Sequence, residues 1–149
     1  MSGKTILVVE DDPSMRELVR DQLKAAGHGV ITARDGPEAI TRLSNFLIHA
    51  LILDLSLPGM DGFEVLKVIQ GMPTLNGLPI LVLTARHAER DVRRAVVLGA
   101  WDYLTKPYTE QQLSRRITRL LRGRFRAPSE SEPQPTAPPD ESSQDAMLI

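Results

Sequence analysis

Asp54 follows four apolar residues, Ala50-Leu51-Ile52-Leu53, and opens a turn, Leu55-Ser56-Leu57-Pro58-Gly59. A carboxylate in that setting loses hydration, so it needs a paired charge, a metal ion or a chemical task. Glu10 and Asp11 close a second apolar run, Ile6-Leu7-Val8-Val9. Thr84 ends a third, and Lys106 precedes Pro107 after a short fourth run. Acids, a hydroxyl and one cation at the ends of different strands suit a site for a divalent metal and a phosphoryl group. Asp11 and Asp54 offer hard oxygen ligands, which fit Mg²⁺ better than a soft metal. Clustered carboxylates repel one another unless a cation neutralises them or one takes a proton. The simpler reading of Glu10-Asp11-Asp12 is a solvated acidic loop, and for Asp12 a helix cap is explanation enough. Thr84, at a strand end, exposes a hydroxyl to an anion beside Asp54. Lys106 is a compact cation for phosphoryl oxygens or for Asp54. A cis bond between Lys106 and Pro107 would turn the chain sharply and aim the lysine.

Those groups meet only if the elements that carry them end at one edge. Strand-like runs at 5–10, 30–33, 50–54, 79–84 and 101–105 alternate with helical patterns. The first, third and fourth are continuous Val/Ile/Leu runs, as expected of parallel strands covered on both faces. Asp12 caps the first helix, with Pro13 at its first position, and Met15, Leu18, Val19, Leu23 and Ala26 form a stripe that stops at Gly27. Helices follow at 37–46, burying Ala39, Ile40 and Leu43, and at 62–70, burying Phe63, Leu66 and Ile69. The helix at 88–98 turns Val92, Ala95 and Val96 inward. The last begins at a capping box, Thr109 to Gln112, and buries Leu113, Ile117, Leu120 and Leu121. Alternating strands and helices imply right-handed crossovers and a doubly wound parallel sheet, whose ligands lie outside the carboxyl ends of the strands. Glu10, Asp11, Asp54, Thr84 and Lys106 all stand at such ends.

The chain has 149 residues, enough for one domain with its own core. With no cysteine it has no disulfide, thiolate metal site or thiol nucleophile. No signal-like segment or long apolar run is present, so a cytoplasmic location is expected. The net charge of −1 conceals an asymmetry: residues 127–149 hold five acids and no Lys or Arg, leaving +4 on the rest. That segment is rich in Pro, Ser and acids, a composition that cannot offset chain entropy by burial. A folded domain at 4–124 and a disordered tail at 125–149 are expected.

Four segments in order, Val8-Val9-Glu10-Asp11-Asp12, Leu51 through Gly62 with Asp54 at its centre, Leu81-Val82-Leu83-Thr84-Ala85 and Tyr103-Leu104-Thr105-Lys106-Pro107, resemble the receiver domain of two-component response regulators. The likeness covers residues 4–124, and its weight lies in four motifs at matching spacing. It implies a flavodoxin-like α/β fold, a five-stranded parallel sheet in the order 2-1-3-4-5 with five helices. It implies that Asp54 accepts a phosphoryl group from a sensor histidine kinase or a histidine phosphotransfer protein. Asp11, Asp54 and the backbone carbonyl of Ser56 would ligate Mg²⁺, with Glu10 assisting through water. Lys106 and Thr84 would bind phosphoryl oxygens, and Tyr103 would report the modification by changing rotamer. Such a protein catalyses its own phosphorylation and dephosphorylation without being an enzyme. Glu10 stands where aspartate is common, and His49-Ala50 replaces a frequent Pro-Asp. Ser56 and Arg86 occupy positions at which the family tunes dephosphorylation.

The 25 residues from 125 onward are too few for a helix-turn-helix module. Output by protein contact through the face of helix 4, strand 5 and helix 5, or through a phosphorylation-dependent homodimer, is therefore expected, unless the chain is a fragment of a longer regulator. Arg90, Arg93, Arg94, Arg115, Arg116, Arg119 and Arg122 make that face basic, or simply solvate it. Without aromatic interleaving or a recognition motif, they argue against direct nucleic-acid binding. Haloacid-dehalogenase-like phosphatases also form a phospho-aspartate, but they resemble one another in a second aspartate two residues later, where this chain has Ser56. A dinucleotide site fails sooner, since no G-x-G-x-x-G follows the first strand.

Overall fold

In the computed structural model, which describes residues 4–123, the apolar runs become the centre of a parallel sheet. In chain order the elements are β1 (Thr5–Val9), α1 (Pro13–Ala25), β2 (Gly29–Ala33), α2 (Gly36–Asn45), β3 (Ala50–Leu53), α3 (Gly62–Gln70), β4 (Ile80–Thr84), α4 (Glu89–Val97), β5 (Asp102–Thr105) and α5 (Glu110–Leu121). A 3-10 turn, Pro73–Leu75, joins α3 to β4. The strand order is β2-β1-β3-β4-β5, with every pair parallel. The chain reverses its direction of winding between β1 and β3, which opens a crevice at their carboxyl ends.

Alternation along the strands divides the core into two layers. Leu7, Val9, Leu51 and Leu53 pack with Ala39 and Leu43 of α2, Phe63 and Leu66 of α3, and Ala95 of α4. Ile6, Val8, Ala50 and Ile52 pack on the opposite face with Val19 and Leu23 of α1 and Leu113, Ile117 and Leu120 of α5. Each fully buried Leu, Ile or Phe side chain contributes roughly 1.5–3 kcal/mol relative to exposure.

The expected punctuation holds at both ends of the chain. Asp12 accepts a hydrogen bond from the Ser14 amide, and Thr109 and Gln112 close a reciprocal capping box. Asp35 and Asp61 cap α2 and α3 by accepting from the Glu38 and Glu64 amides, and neither cap was picked out in the sequence. Leu18 departs from expectation. It is 62 % exposed, because the register that seats Val19 and Leu23 on the sheet turns Leu18 outward. Of the three α4 residues expected inward, only Ala95 is fully buried. The expected tail lies outside the described residues.

Candidate functional site

β1, β3, β4 and β5 end side by side, and the ladder stops one residue before each acid. Asp54 lies just beyond β3, its amide still donating to the Val9 carbonyl at 3.1 Å. Glu10 lies just beyond β1, its amide donating to the Ala33 carbonyl at 3.1 Å. The side chains of Glu10 and Asp54 are both almost wholly buried. Asp11, next along the loop, is exposed. Carboxylate oxygens of these three residues lie within 4.8 Å of one another.

Lys106 supplies the counter-charge. Its Nζ donates to Glu10 Oε1 at 2.9 Å and to Asp54 Oδ2 at 3.1 Å. Its backbone amide donates to the Thr84 carbonyl at 2.8 Å, which ties the turn after β5 to the end of β4. The Lys106–Pro107 bond is cis. Burial opposes the charge on Lys106, but the hydrogen bond to Glu10 and the charge of Asp54 outweigh it, so its pKa is raised. Burial raises the pKa of Glu10, the Lys106 hydrogen bond opposes that, and the charge of Asp54 adds to it. One ammonium shared by two buried acids leaves the second incompletely compensated.

That deficit and the donor set fit a hard divalent cation. Glu10, Asp11 and Asp54 provide oxygen ligands only, and among the described residues no donor takes up the Ser56 carbonyl. Asp54 Oδ1 already accepts from the Ser56 amide at 3.0 Å, so the turn that would present that carbonyl is fixed by the acceptor residue itself.

Thr84 requires a correction. Its side chain is fully buried rather than exposed, because β4 is an inner strand covered on both faces. Its Oγ1 accepts from the Arg86 amide at 3.3 Å. Arg86 is the residue whose structural part was not legible. Its Nε donates to Ser56 Oγ at 3.2 Å, its carbonyl accepts from the Tyr103 hydroxyl at 2.8 Å, and its guanidinium lies 5.6 Å from the Phe63 ring centre. It thus joins the loops after β3 and β4 to Tyr103 in one chain of contacts. The only sequence signal was its position two residues after Thr84. His49 Nδ1 accepts from the Thr5 amide at 3.0 Å, fastening the residue before β3 to the start of β1.

Tyr103 is half-buried, and its hydroxyl points into the fold rather than to the surface. Burial, aided by the charge of Asp91, raises its pKa above that of an ordinary tyrosine. The folded state therefore holds this proton more tightly than the unfolded chain does, so the contribution to stability is complete below about pH 10 and is lost as pH rises toward the folded value. Urea unfolding followed from pH 9 to pH 11 should show Tyr103→Phe losing less stability with alkali than the unaltered chain; parallel curves would refute the burial of this hydroxyl.

The expected basic face is partly committed elsewhere. Arg116 donates to Asp102 Oδ1 and to the Tyr103 carbonyl, each at 3.0 Å, which explains how Asp102 is buried. Arg94 stacks on Phe63 at 4.2 Å.

A flavodoxin-like sheet with three acids and a lysine gathered at its switch point defines a class, the receiver-type α/β proteins. Residues 6–118 match the family described as response regulator receiver domain, and the chain belongs to that family. It is 39 % identical over 120 residues to the alkaline phosphatase synthesis transcriptional regulatory protein PhoP of Bacillus subtilis, covering 80 % of this chain and 49 % of that one. It is 42 % identical over 117 residues to response regulator MprA of Mycobacterium tuberculosis, covering 78 % and 50 %. The chain thus spans about half the length of the curated relatives it matches. Among solved structures, the chemotaxis protein CheY4 of Vibrio cholerae superposes with a TM-score of 0.77 at 31 % identity, over 80 % of this chain and all of that one. The receiver domain of sensor histidine kinase PA1611 from Pseudomonas aeruginosa, described with a magnesium ion coordinated in its active-site cleft, gives 0.74 at 29 % identity, over 80 % and 98 %. Among the described residues no helix is long and apolar enough to cross a membrane.

Proposed function

We propose that this chain is a phosphorylation-activated receiver in which Asp54 accepts a phosphoryl group from a phosphohistidine of a sensor kinase or phosphotransfer protein. The observation that carries this reading is the shared lysine: Lys106 bonds Asp54 and Glu10 together, with Asp11 beside them. A carboxylate oxygen of Asp54 attacks phosphorus, the P–N bond to the donor histidine breaks, and the imidazole leaves with the electron pair. Lys106 then faces an oxygen of the acyl phosphate in place of the carboxylate it holds now. Thr84 Oγ1 and the Arg86 amide lie at the next strand end, where a shift of the hydroxyl toward the phosphoryl group releases that amide. Mg²⁺, held by Glu10, Asp11, Asp54 and the Ser56 carbonyl, would supply charge neutralisation for the attack between anions. Hydrolysis of the aspartyl phosphate returns the chain to its starting state, so the protein is modified and does not turn over a small substrate.

The signal then passes by protein contact through α4, β5 and α5, or by pairing of two phosphorylated copies, in the cytoplasm. Tyr103 carries the change to that face, since its hydroxyl is bonded to the loop that follows Thr84. A second reading is favoured by the relatives' length: the chain is the receiver part of a longer regulator, whose output domain binds DNA.

Incubation with Mg²⁺ and a small acyl phosphate is expected to add one phosphoryl group, read as a single mass increment. Steady release of phosphate from simple esters without that increment would favour a phosphatase instead. Asp11→Asn removes one charged ligand from an exposed position, so the fold should stand while Mg²⁺ binding weakens about tenfold or more. Titration of amide shifts with Mg²⁺ measures this, and an unchanged affinity would remove Asp11 from the ligand set.

A further inference from the structure

Residues 86–126 hold ten arginines and one lysine against four acids, and residues 127–149 hold five acids and no base. The described part of the first group, residues 86–123, runs through α4, the edge strand β5 and α5. On α4, Arg90, Arg93 and Val97 recur at helical spacing on one outward stripe; all three are exposed, Val97 by 75 %. On α5, Arg115 and Arg122 stand exposed two turns apart. Of these four arginines, only Arg93 forms an ion pair among the described residues, with Glu89 at 2.8 Å, and that pair is itself largely solvated. The face is positive, apolar at one point, and continuous with the strand that carries Tyr103.

We propose that the chain's own residues 127–149 dock on this face, with Glu130, Glu132, Asp140, Glu141 and Asp145 against the α4 and α5 arginines and the run Ala146–Ile149 near Val97. Reach permits it. A coil of about 20 residues spans ~25 Å on average, whereas the 12-residue helix α5 is only ~18 Å long. Tethering permits it too, because a segment covalently joined to its target over a short stretch of chain meets it at an effective concentration of the order of millimolar. Each exposed ion pair adds little by itself, so the contact is weak, summed over several charges and sensitive to salt. Its consequence is competition: an acidic partner approaching this face must displace the tail. The docking stands independently of whether Asp54 is modified.

The chain has no cysteine, so Ser142→Cys in the full-length protein accepts a single nitroxide label cleanly. At about 20 mM salt, where the screening length is roughly 20 Å, amide signals of α4 should broaden strongly while those of α2 remain sharp. α2 is the control because it packs on β1 and β2, at the edge of the sheet opposite β5, and its one acid, Glu38, and one base, Arg42, balance. At about 0.5 M salt, with a screening length of roughly 4 Å, the α4 broadening should fall at least several-fold. The five amide replacements Glu130→Gln, Glu132→Gln, Asp140→Asn, Glu141→Gln and Asp145→Asn should abolish it without touching the folded domain. Equal broadening of α2 and α4, or none, would overturn the docking. So would broadening seen only on an isotope-labelled copy mixed with a spin-labelled one, since the contact would then lie between molecules.

Discussion

Asp54→Asn is expected to abolish phosphoryl incorporation from an acyl phosphate, a loss of at least two orders of magnitude, while leaving the chain folded. The amide has the shape of the carboxylate but neither its charge nor a lone pair basic enough to attack phosphorus. Its single oxygen cannot serve both present donors, the Ser56 amide at 3.0 Å and Lys106 Nζ at 3.1 Å. Lys106 keeps Glu10, so the expected stability loss is only about 1 kcal/mol, the value of one imperfect hydrogen bond. Mass spectrometry after incubation with Mg²⁺ and the donor measures incorporation, and thermal unfolding checks the fold. A phosphoryl group retained by the variant would mean that another residue is the acceptor.

Gly62→Ala is expected to be the most damaging small substitution in the domain. A methyl group there would lie 2.5 Å from Leu55 Cα and 2.8 Å from the Asp54 carbonyl oxygen, both backbone atoms that cannot swing aside. The Gly62 amide also donates to the Leu55 carbonyl at 2.9 Å, so α3 cannot move off without breaking this bond. Overpacking of this kind costs roughly 3 kcal/mol, which should lower the urea midpoint by about 2 M. Gly36→Ala is the matched comparison, since its methyl group would meet only the flexible side chain of Met60. The two variants losing equal stability would show that the contact with the acceptor turn is not what matters. Because the clash falls on the residue pair that carries the acceptor, phosphoryl incorporation should drop as well.

Much of this architecture was readable because few residue types can do what the fold demands. Continuous runs such as Leu51–Leu53 leave no polar face, so those strands had to be covered on both sides. Once they were parallel, Glu10, Asp54, Thr84 and Lys106 had to end together. What stayed hidden depends on side-chain direction in three dimensions. Thr84 reads as exposed because strand ends usually are, yet its place on an inner strand buries it. Asp102 and Arg116 look like two surface charges, and only the packing of α5 against β5 makes them a buried pair. Leu18 belongs to the apolar pattern of α1, but a helix with Val19 and Leu23 against a sheet cannot also turn Leu18 inward. The contacts of Arg86 join two loops to Tyr103 on β5, and pattern alone does not record neighbours so distant along the chain.

The Lys106–Glu10 hydrogen bond closes a loop of 96 residues, and the Lys106–Asp54 bond one of 52. Contacts of such sequence separation reward the chain only after nearly all of the intervening entropy has been spent. During synthesis, β1 and β3 can pair, and Glu10, Asp11 and Asp54 can assemble, while the lysine that balances them has yet to leave the ribosome. An incomplete chain therefore holds an acidic pocket without its cation. The last strand to be made is the one that brings Lys106, so the ammonium that joins Glu10 to Asp54 arrives only when β5 has taken its place in the sheet.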